Sequence, residues 1–76
     1  MKIRIYSTPT CPYCQMAKKY LDSKNVSYED MDVSHDRTAA AEMISKSGQR
    51  GVPVLDIDGS IIVGFDRDKI DSHIIA

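Results

Sequence analysis

Apolar and polar residues alternate from Lys2 to Tyr6, which puts Ile3 and Ile5 on one face and predicts an opening strand. Ser7-Thr8-Pro9-Thr10 reads as a loop, and Pro12 stands where a helix tolerates proline best, in its first turn. Tyr13, Met16, Ala17, Tyr20 and Leu21 recur at helical spacing, with Lys18 and Lys19 expected to face water and the helix expected to end near Asn25. A second strand is predicted over Val26–Val33. Ser34 or Asp36 can cap a second helix through Ala39, Ala40, Met43 and Ile44, which Gly48 ends in the left-handed conformation. Val52–Ile57 and Ser60–Val63 flank Asp58-Gly59, a two-residue hairpin signal. Gly64 then breaks the strand, and Asp66 can cap a last helix carrying Ile70, Ile74 and Ile75.

The order is therefore β-α-β-α-β-β-α. A β-α-β unit implies a parallel pair joined by a right-handed crossover, and the hairpin adds an antiparallel pair. The pattern predicts an α/β fold: a four-stranded mixed sheet covered by three helices, as one domain over residues 1–76. Seventy-six residues suit that size, and a composition 42% hydrophobic and 28% charged is globular. No apolar run approaches the ~18 residues of a membrane helix, and Met1 leads into a strand pattern instead of a signal peptide. A cytoplasmic monomer is expected, with no membrane or nucleic-acid partner.

Charge changes the picture by its distribution. The net charge is −1. Residues 1–24 hold five bases against Asp22 alone, a net of +4, and residues 25–76 hold five bases against ten acids, a net of −5. The positive third contains both cysteines of the chain. His35 and His73 read as surface or partly buried helix residues, Met16, Met31 and Met43 as core filling, and the acids from Asp56 to Asp71 as a solvated face.

Cys11-Pro12-Tyr13-Cys14 follows a strand and opens a helix. The first sulfur then lies beside backbone N–H groups that have no partner within the helix, and these favour a thiolate over a thiol. The helix dipole supplies ~0.3–1 kcal/mol, less than the ~1.4 kcal/mol of one pKa unit. Hydrogen bonds from the Tyr13 and Cys14 N–H groups and the Cys14 thiol are expected to contribute the rest, so that Cys11 ionises below a free cysteine. Cys14, one turn later on the same face, can reach back to form a disulfide with little backbone movement. A static structural disulfide in so short a loop would restrain the unfolded chain little. A zinc site needs four ligands, and neither His35 nor His73 has ligand spacing to the pair. No metal is expected, and the residues favour a redox pair.

The chain resembles the glutaredoxins, small members of the thioredoxin-fold superfamily. The resemblance rests on Ile3-Arg4-Ile5-Tyr6, Cys11-Pro12-Tyr13-Cys14, Gly51-Val52-Pro53-Val54, Asp58-Gly59 and Gly64-Phe65-Asp66. It implies a thioredoxin-like fold, Cys11 as nucleophile, Cys14 as resolving thiol, and a cis bond before Pro53. Glutathione would be a co-substrate, with no bound cofactor, and Tyr13, Arg50, Val52, Pro53, Gly64, Phe65 and Asp66 would form its site. In that reading Val52 pairs its backbone with an extended thiol substrate. Asp66 holds the glutathione α-amino group, the Gly64 and Phe65 N–H groups hold one carboxylate, and Arg50 pairs with the other.

Departures from the family pattern cluster around that site. Thr8 stands where members usually have lysine, Gly51 where they usually have threonine, and Val63-Gly64-Phe65-Asp66-Arg67 where they usually have Gly-Gly-x-Asp-Asp. The ending Gly64-Phe65 followed by Arg67-Asp68-Lys69-Ile70 is similar to redoxins that take electrons from thioredoxin reductase and feed ribonucleotide reductase. Pro12-Tyr13 is instead typical of members that use glutathione.

The expected activity is thiol–disulfide exchange on glutathionylated and disulfide-bonded proteins. The alternatives are a thioredoxin reductase-dependent redoxin and, from another class, a glutathione-dependent iron–sulfur carrier, against which the rigid Pro12 argues. Some similar small redoxins carry selenocysteine at the position of Cys11.

Overall fold

The structure, a computed structural model, describes residues 2–74. Its elements are β1 (Ile3–Ser7), α1 (Pro12–Ser23), β2 (Glu29–Asp32), α2 (Arg37–Ser47), β3 (Val54–Ile57), β4 (Ser60–Val63) and α3 (Arg67–Ile74). This is the expected β-α-β-α-β-β-α order. Ile75, expected on the last helix, lies outside the described residues.

The strands form one mixed sheet in the order β2-β1-β3-β4. β1 pairs with β2 in parallel from Arg4↔Glu29 to Ser7↔Asp32, and antiparallel with β3 from Ile3↔Ile57 to Tyr6↔Val54. The β3–β4 hairpin closes at Asp58-Gly59, with Ile57 opposite Ser60.

Alternation along the strands sorts side chains between two layers. Ile3, Ile5, Leu55, Ile57 and Ile62 join Ala17 and Leu21 of α1 and Ile70 and Ile74 of α3 in one cluster. Tyr6 and Val54 join Ala39 and Met43 of α2 in the other. Both faces are covered, so the central strand β1 buries Ile5 and Tyr6 in opposite layers.

Asp36 caps α2 by accepting the Ala39 N–H at 3.1 Å, and Gly48 ends it at φ 73°. Two strands are shorter than their apolar runs. β2 begins at Glu29, where its ladder with β1 starts opposite Arg4. Val26 and Tyr28 instead pack against the α1–α3 cluster ahead of the ladder. β3 begins at Val54 because Pro53 has no N–H to donate.

The buried line of α1 is Cys14, Ala17 and Leu21, not the whole apolar stripe. Tyr13 and Met16 lie on its flank, 62% and 48% exposed, so Met16 is not core filling. Met43 is buried and Met31 half-buried, while Ile44 is exposed. Asp56 is also not part of a solvated acidic face, since Lys46 Nζ holds its carboxylate at 2.7 Å.

Candidate redox site

The loop after β1 delivers Cys11 to the start of α1, where it is the N-cap in extended conformation, with φ −91° and ψ 113°. Pro12 has no N–H to satisfy, and the Cys11 carbonyl already accepts the Gln15 N–H at 3.1 Å. The Cys11 sulfur accepts the Cys14 N–H at 3.3 Å, as a capping oxygen would. Of the two backbone donors expected, Cys14 is the one that reaches the sulfur. Behind the cap, the Cys11 N–H donates to the Thr8 carbonyl at 3.4 Å.

The two cysteines are free thiols in unequal settings: Cys11 is partly exposed and Cys14 wholly buried. Burial first, and then the hydrogen bond and charge of Cys11, push the Cys14 thiol up to about 11. The Thr8 backbone and the Lys18 ammonium act in the opposite direction. At neutral pH Cys14 is therefore a protonated thiol, while its backbone N–H stays directed at the neighbouring sulfur.

The loop before β3 faces the pair. Val52-Pro53 is a cis bond, as expected, and the Val52 carbonyl oxygen lies 3.9 Å from Cys11 Sγ. The Pro53 carbonyl accepts the Gly64 N–H at 2.8 Å, joining this loop to the turn after β4. Gly64 needs a φ of 84°, which glycine adopts without strain. The Gly64 N–H, expected to hold a carboxylate, is engaged by the Pro53 carbonyl instead. A groove of about 520 Å³ runs along Val63, Gly64, Phe65, Asp66, Arg67 and Asp68. Asp66 caps α3 through Oδ1, which accepts the Lys69 N–H at 3.2 Å.

Hydrogen bonds and close contacts thus link Cys11, Cys14, Val52, Pro53 and Gly64, with Phe65 and Asp66 next in the chain. Tyr13 stands exposed beside them. Arg50 is exposed and makes no ion pair among the described residues. The Gln49 side chain bridges past it, donating from Nε2 to the Gly51 carbonyl at 3.0 Å and accepting the Gly51 N–H.

Lys18 corrects the sequence reading. Instead of facing water, its side chain is 15% exposed and holds Asp30 at 2.7 Å. Asp30 in turn accepts the hydroxyl of Ser7, the last residue of β1, at 2.7 Å. The available signal was spacing: Lys18 lies four residues beyond Cys14, on the same helix face. Among the described residues no group of three or more His, Cys, Asp or Glu side chains could hold a metal ion, and no helix is long and apolar enough to cross a membrane.

Comparisons with known proteins agree with this geometry. The glutaredoxin family model matches residues 3–62. An uncharacterised glutaredoxin-like 8.6 kDa protein of the rubredoxin operon of Clostridium pasteurianum is 54% identical over 72 residues, spanning 95% of this chain and 96% of that one. Glutaredoxin 3 of Escherichia coli K12 is 41% identical over 64 residues, spanning 84% of this chain and 77% of that one. Among solved structures, the Escherichia coli NrdH-redoxin, a glutaredoxin-like protein with a thioredoxin-like activity profile, superposes with a TM-score of 0.86 at 28% identity. That match covers 100% of this chain and 99% of the other.

Proposed function

The chain belongs to the glutaredoxin family, and from that premise we propose that it is a glutathione-dependent thiol–disulfide oxidoreductase acting through Cys11 and Cys14. The observation that carries the reading is the asymmetry of the pair. One sulfur is partly exposed and accepts a backbone N–H at a helix start, while the other is buried and held protonated.

Cys11 attacks the sulfur of a glutathione mixed disulfide, the protein thiolate leaves, and glutathione remains on Cys11. A second glutathione attacks that bond, releases oxidised glutathione and restores Cys11. With a protein disulfide, Cys11 forms the mixed disulfide and Cys14 displaces the second protein thiolate. That leaves Cys11–Cys14 oxidised for glutathione to reduce. The Val52 backbone aligns the extended substrate beside the sulfur, Tyr13 borders it, and Phe65 and Asp66 receive the charged end of glutathione, with Arg50 reaching the other carboxylate. Two free thiols suit a reducing compartment, and we place the protein in the cytoplasm.

A second reading is supported by Thr8, Gly51 and the engaged Gly64 N–H, and by the full-length likeness to NrdH-redoxin. In it, thioredoxin reductase supplies the electrons and ribonucleotide reductase is a recipient. NADPH oxidation separates the two. Turnover with glutathione and glutathione reductase is expected; turnover only with thioredoxin reductase would favour the second reading, and none with either would overturn both. Cys11→Ser should abolish activity, whereas Cys14→Ser should keep deglutathionylation and lose protein disulfide reduction.

A further inference from the structure

Cys14 must become a nucleophile from a buried position, and the exchange chemistry names no group that helps it. Lys18 is one turn beyond it on α1, its side chain largely buried and its ammonium against Asp30 of β2. Asp30 is fixed from its other side by Ser7, at the end of the strand whose loop delivers Cys11. A cavity of about 210 Å³ lined by Ser7, Pro9, Gln15, Lys18, Asp30 and Asp32 opens beside this group. It is large enough to admit water beside the Lys18–Asp30 pair.

We propose that Lys18 is the electrostatic positioning residue for the resolving half-reaction, with Asp30 and Ser7 setting how strongly its charge acts on Cys14. The inference rests on the two-cysteine reading above and extends it to a group outside the Cys-x-x-Cys segment. In the step itself Cys14 yields its proton to water and its sulfur bonds the Cys11 sulfur. The bond from Cys11 to the substrate sulfur breaks, and that electron pair leaves with the substrate thiolate. Lys18 stabilises the Cys14 thiolate and takes no proton. The groups facing these atoms are Cys11, Lys18 and the Thr8 backbone around the sulfur. Around the ammonium are Asp30, Asp32 along the cavity and Tyr28 ahead of β2.

Removing a cation that favours a thiolate by one pKa unit lowers the thiolate fraction tenfold. The more basic sulfur is also the better nucleophile, with a Brønsted coefficient of about 0.4–0.5, so the net slowing is roughly threefold to fourfold. Removing the carboxylate that neutralises the cation should act in the opposite direction.

An aromatic disulfide, dithiobisnitrobenzoate, tests this in stopped flow with the intact reduced chain. Attack by Cys11 releases the first equivalent of nitrothiobenzoate, and attack by Cys14 on the resulting mixed disulfide releases the second. Lys18→Met should slow the second phase at neutral pH, roughly threefold for each pKa unit by which the variant's Cys14 rises, and move its rise with pH upward. Lys18→Arg should restore it, and Asp30→Asn should accelerate it. A second phase unchanged in Lys18→Met, or both phases slowed equally in every variant, would overturn the proposal. A wild-type chain that releases no second equivalent would overturn the two-cysteine reading itself, and this inference with it.

Discussion

Lys46 Nζ donates to the hydroxyl of Tyr6 at 2.9 Å, although Tyr6 belongs to the central strand and is wholly buried. The same hydroxyl donates to Glu42 at 2.8 Å, and Glu42 and Lys46 lie one turn apart on α2. The network continues to Asp56, 2.7 Å from Lys46, and to Arg4, 3.4 Å from Glu42. It fastens α2 to the sheet where, among the described residues, the second cluster has four buried members. Tyr6→Phe removes a hydroxyl bonded to two charged groups, each of which keeps another partner. The expected loss is near the lower end of the ~1.5–3 kcal/mol for such bonds, read by urea unfolding.

The network contributes to the pH dependence of stability, together with Asp32 and Cys14 outside it. Burial works to raise the Asp56 carboxyl, but the bonds from Lys46 and the Gly59 N–H outweigh it, and the net shift is downward from 3.8. Asp32 is held at about 2, first by the Ser34 hydroxyl and then by His35. Carboxyls depressed in the folded state contribute stability above their unfolded value of 3.8, and this is lost as pH falls through the folded values. Lys46 is raised from 10.5, chiefly by its bond to Asp56 and then by Tyr6, so its contribution is full below 10.5 and lost above it. Burial raises Cys14 from 9.0, so the alkaline loss begins there, and thermal scans should show a plateau between 3.8 and 9.0. Lys46→Met should lower it and lessen the loss at each end, leaving the Asp32 contribution on the acid side and the Cys14 contribution on the alkaline side.

Asp66 combines two roles that one pair of variants separates. Its Oδ1 caps α3, and under the proposed function its charge meets the glutathione amino group. Asparagine caps a helix about as well as aspartate, and alanine costs ~0.5–2 kcal/mol. Asp66→Asn should keep the melting temperature and raise KM for a glutathione mixed disulfide, whereas Asp66→Ala should lose on both measures. Equal KM for wild type and Asp66→Asn would remove Asp66 from the binding site.

How far such features were legible depends on the range of the interaction. Asp36, Gly48 and Asp58-Gly59 act within a few residues of themselves, and the elements they bound, α2 and the β3–β4 turn, fell where local chemistry placed them. Lys18 and Tyr6 could not be read that way. Their partners Asp30 and Glu42 are distant in sequence, and hydrophobic patterning assigns every lysine to water. Met16 and Tyr13 failed for the opposite reason: their spacing matched the apolar stripe, but α1 buries a narrower line against the sheet. Of the site, the cysteine pair was legible from its place between a strand and a helix, and the cis bond before Pro53 through the family resemblance, while the bond from Gly64 to Pro53 required the register of the hairpin.

Arg50 offers a direct test of glutathione recognition. It is exposed and unpaired among the described residues, so Arg50→Gln should leave the melting temperature unchanged. A screened surface charge contributes ~0.2–1 kcal/mol to an exposed ion pair. KM for glutathionylated substrate should therefore rise by at most about fivefold, and the rise should vanish at high salt. A salt-independent effect, or none, would remove this residue from the binding site.

Gly48 and Gly64 make a matched pair for the turn after β4. Their φ values are 73° and 84°, and a Cβ added at either meets nothing within 4 Å. The cost of alanine at each is therefore backbone conformation alone, ~1–2 kcal/mol. Both variants should lower the melting temperature by similar amounts, at roughly 4–8 °C per kcal/mol for a chain of this size. Their effects on activity should differ, because Gly48 ends α2 whereas Gly64 bonds the Pro53 carbonyl and precedes Phe65 and Asp66. Gly64→Ala should raise KM for glutathione mixed disulfides while Gly48→Ala leaves it at the wild-type value. Matched stability losses with identical KM values would show that substrate does not use the Gly64 turn.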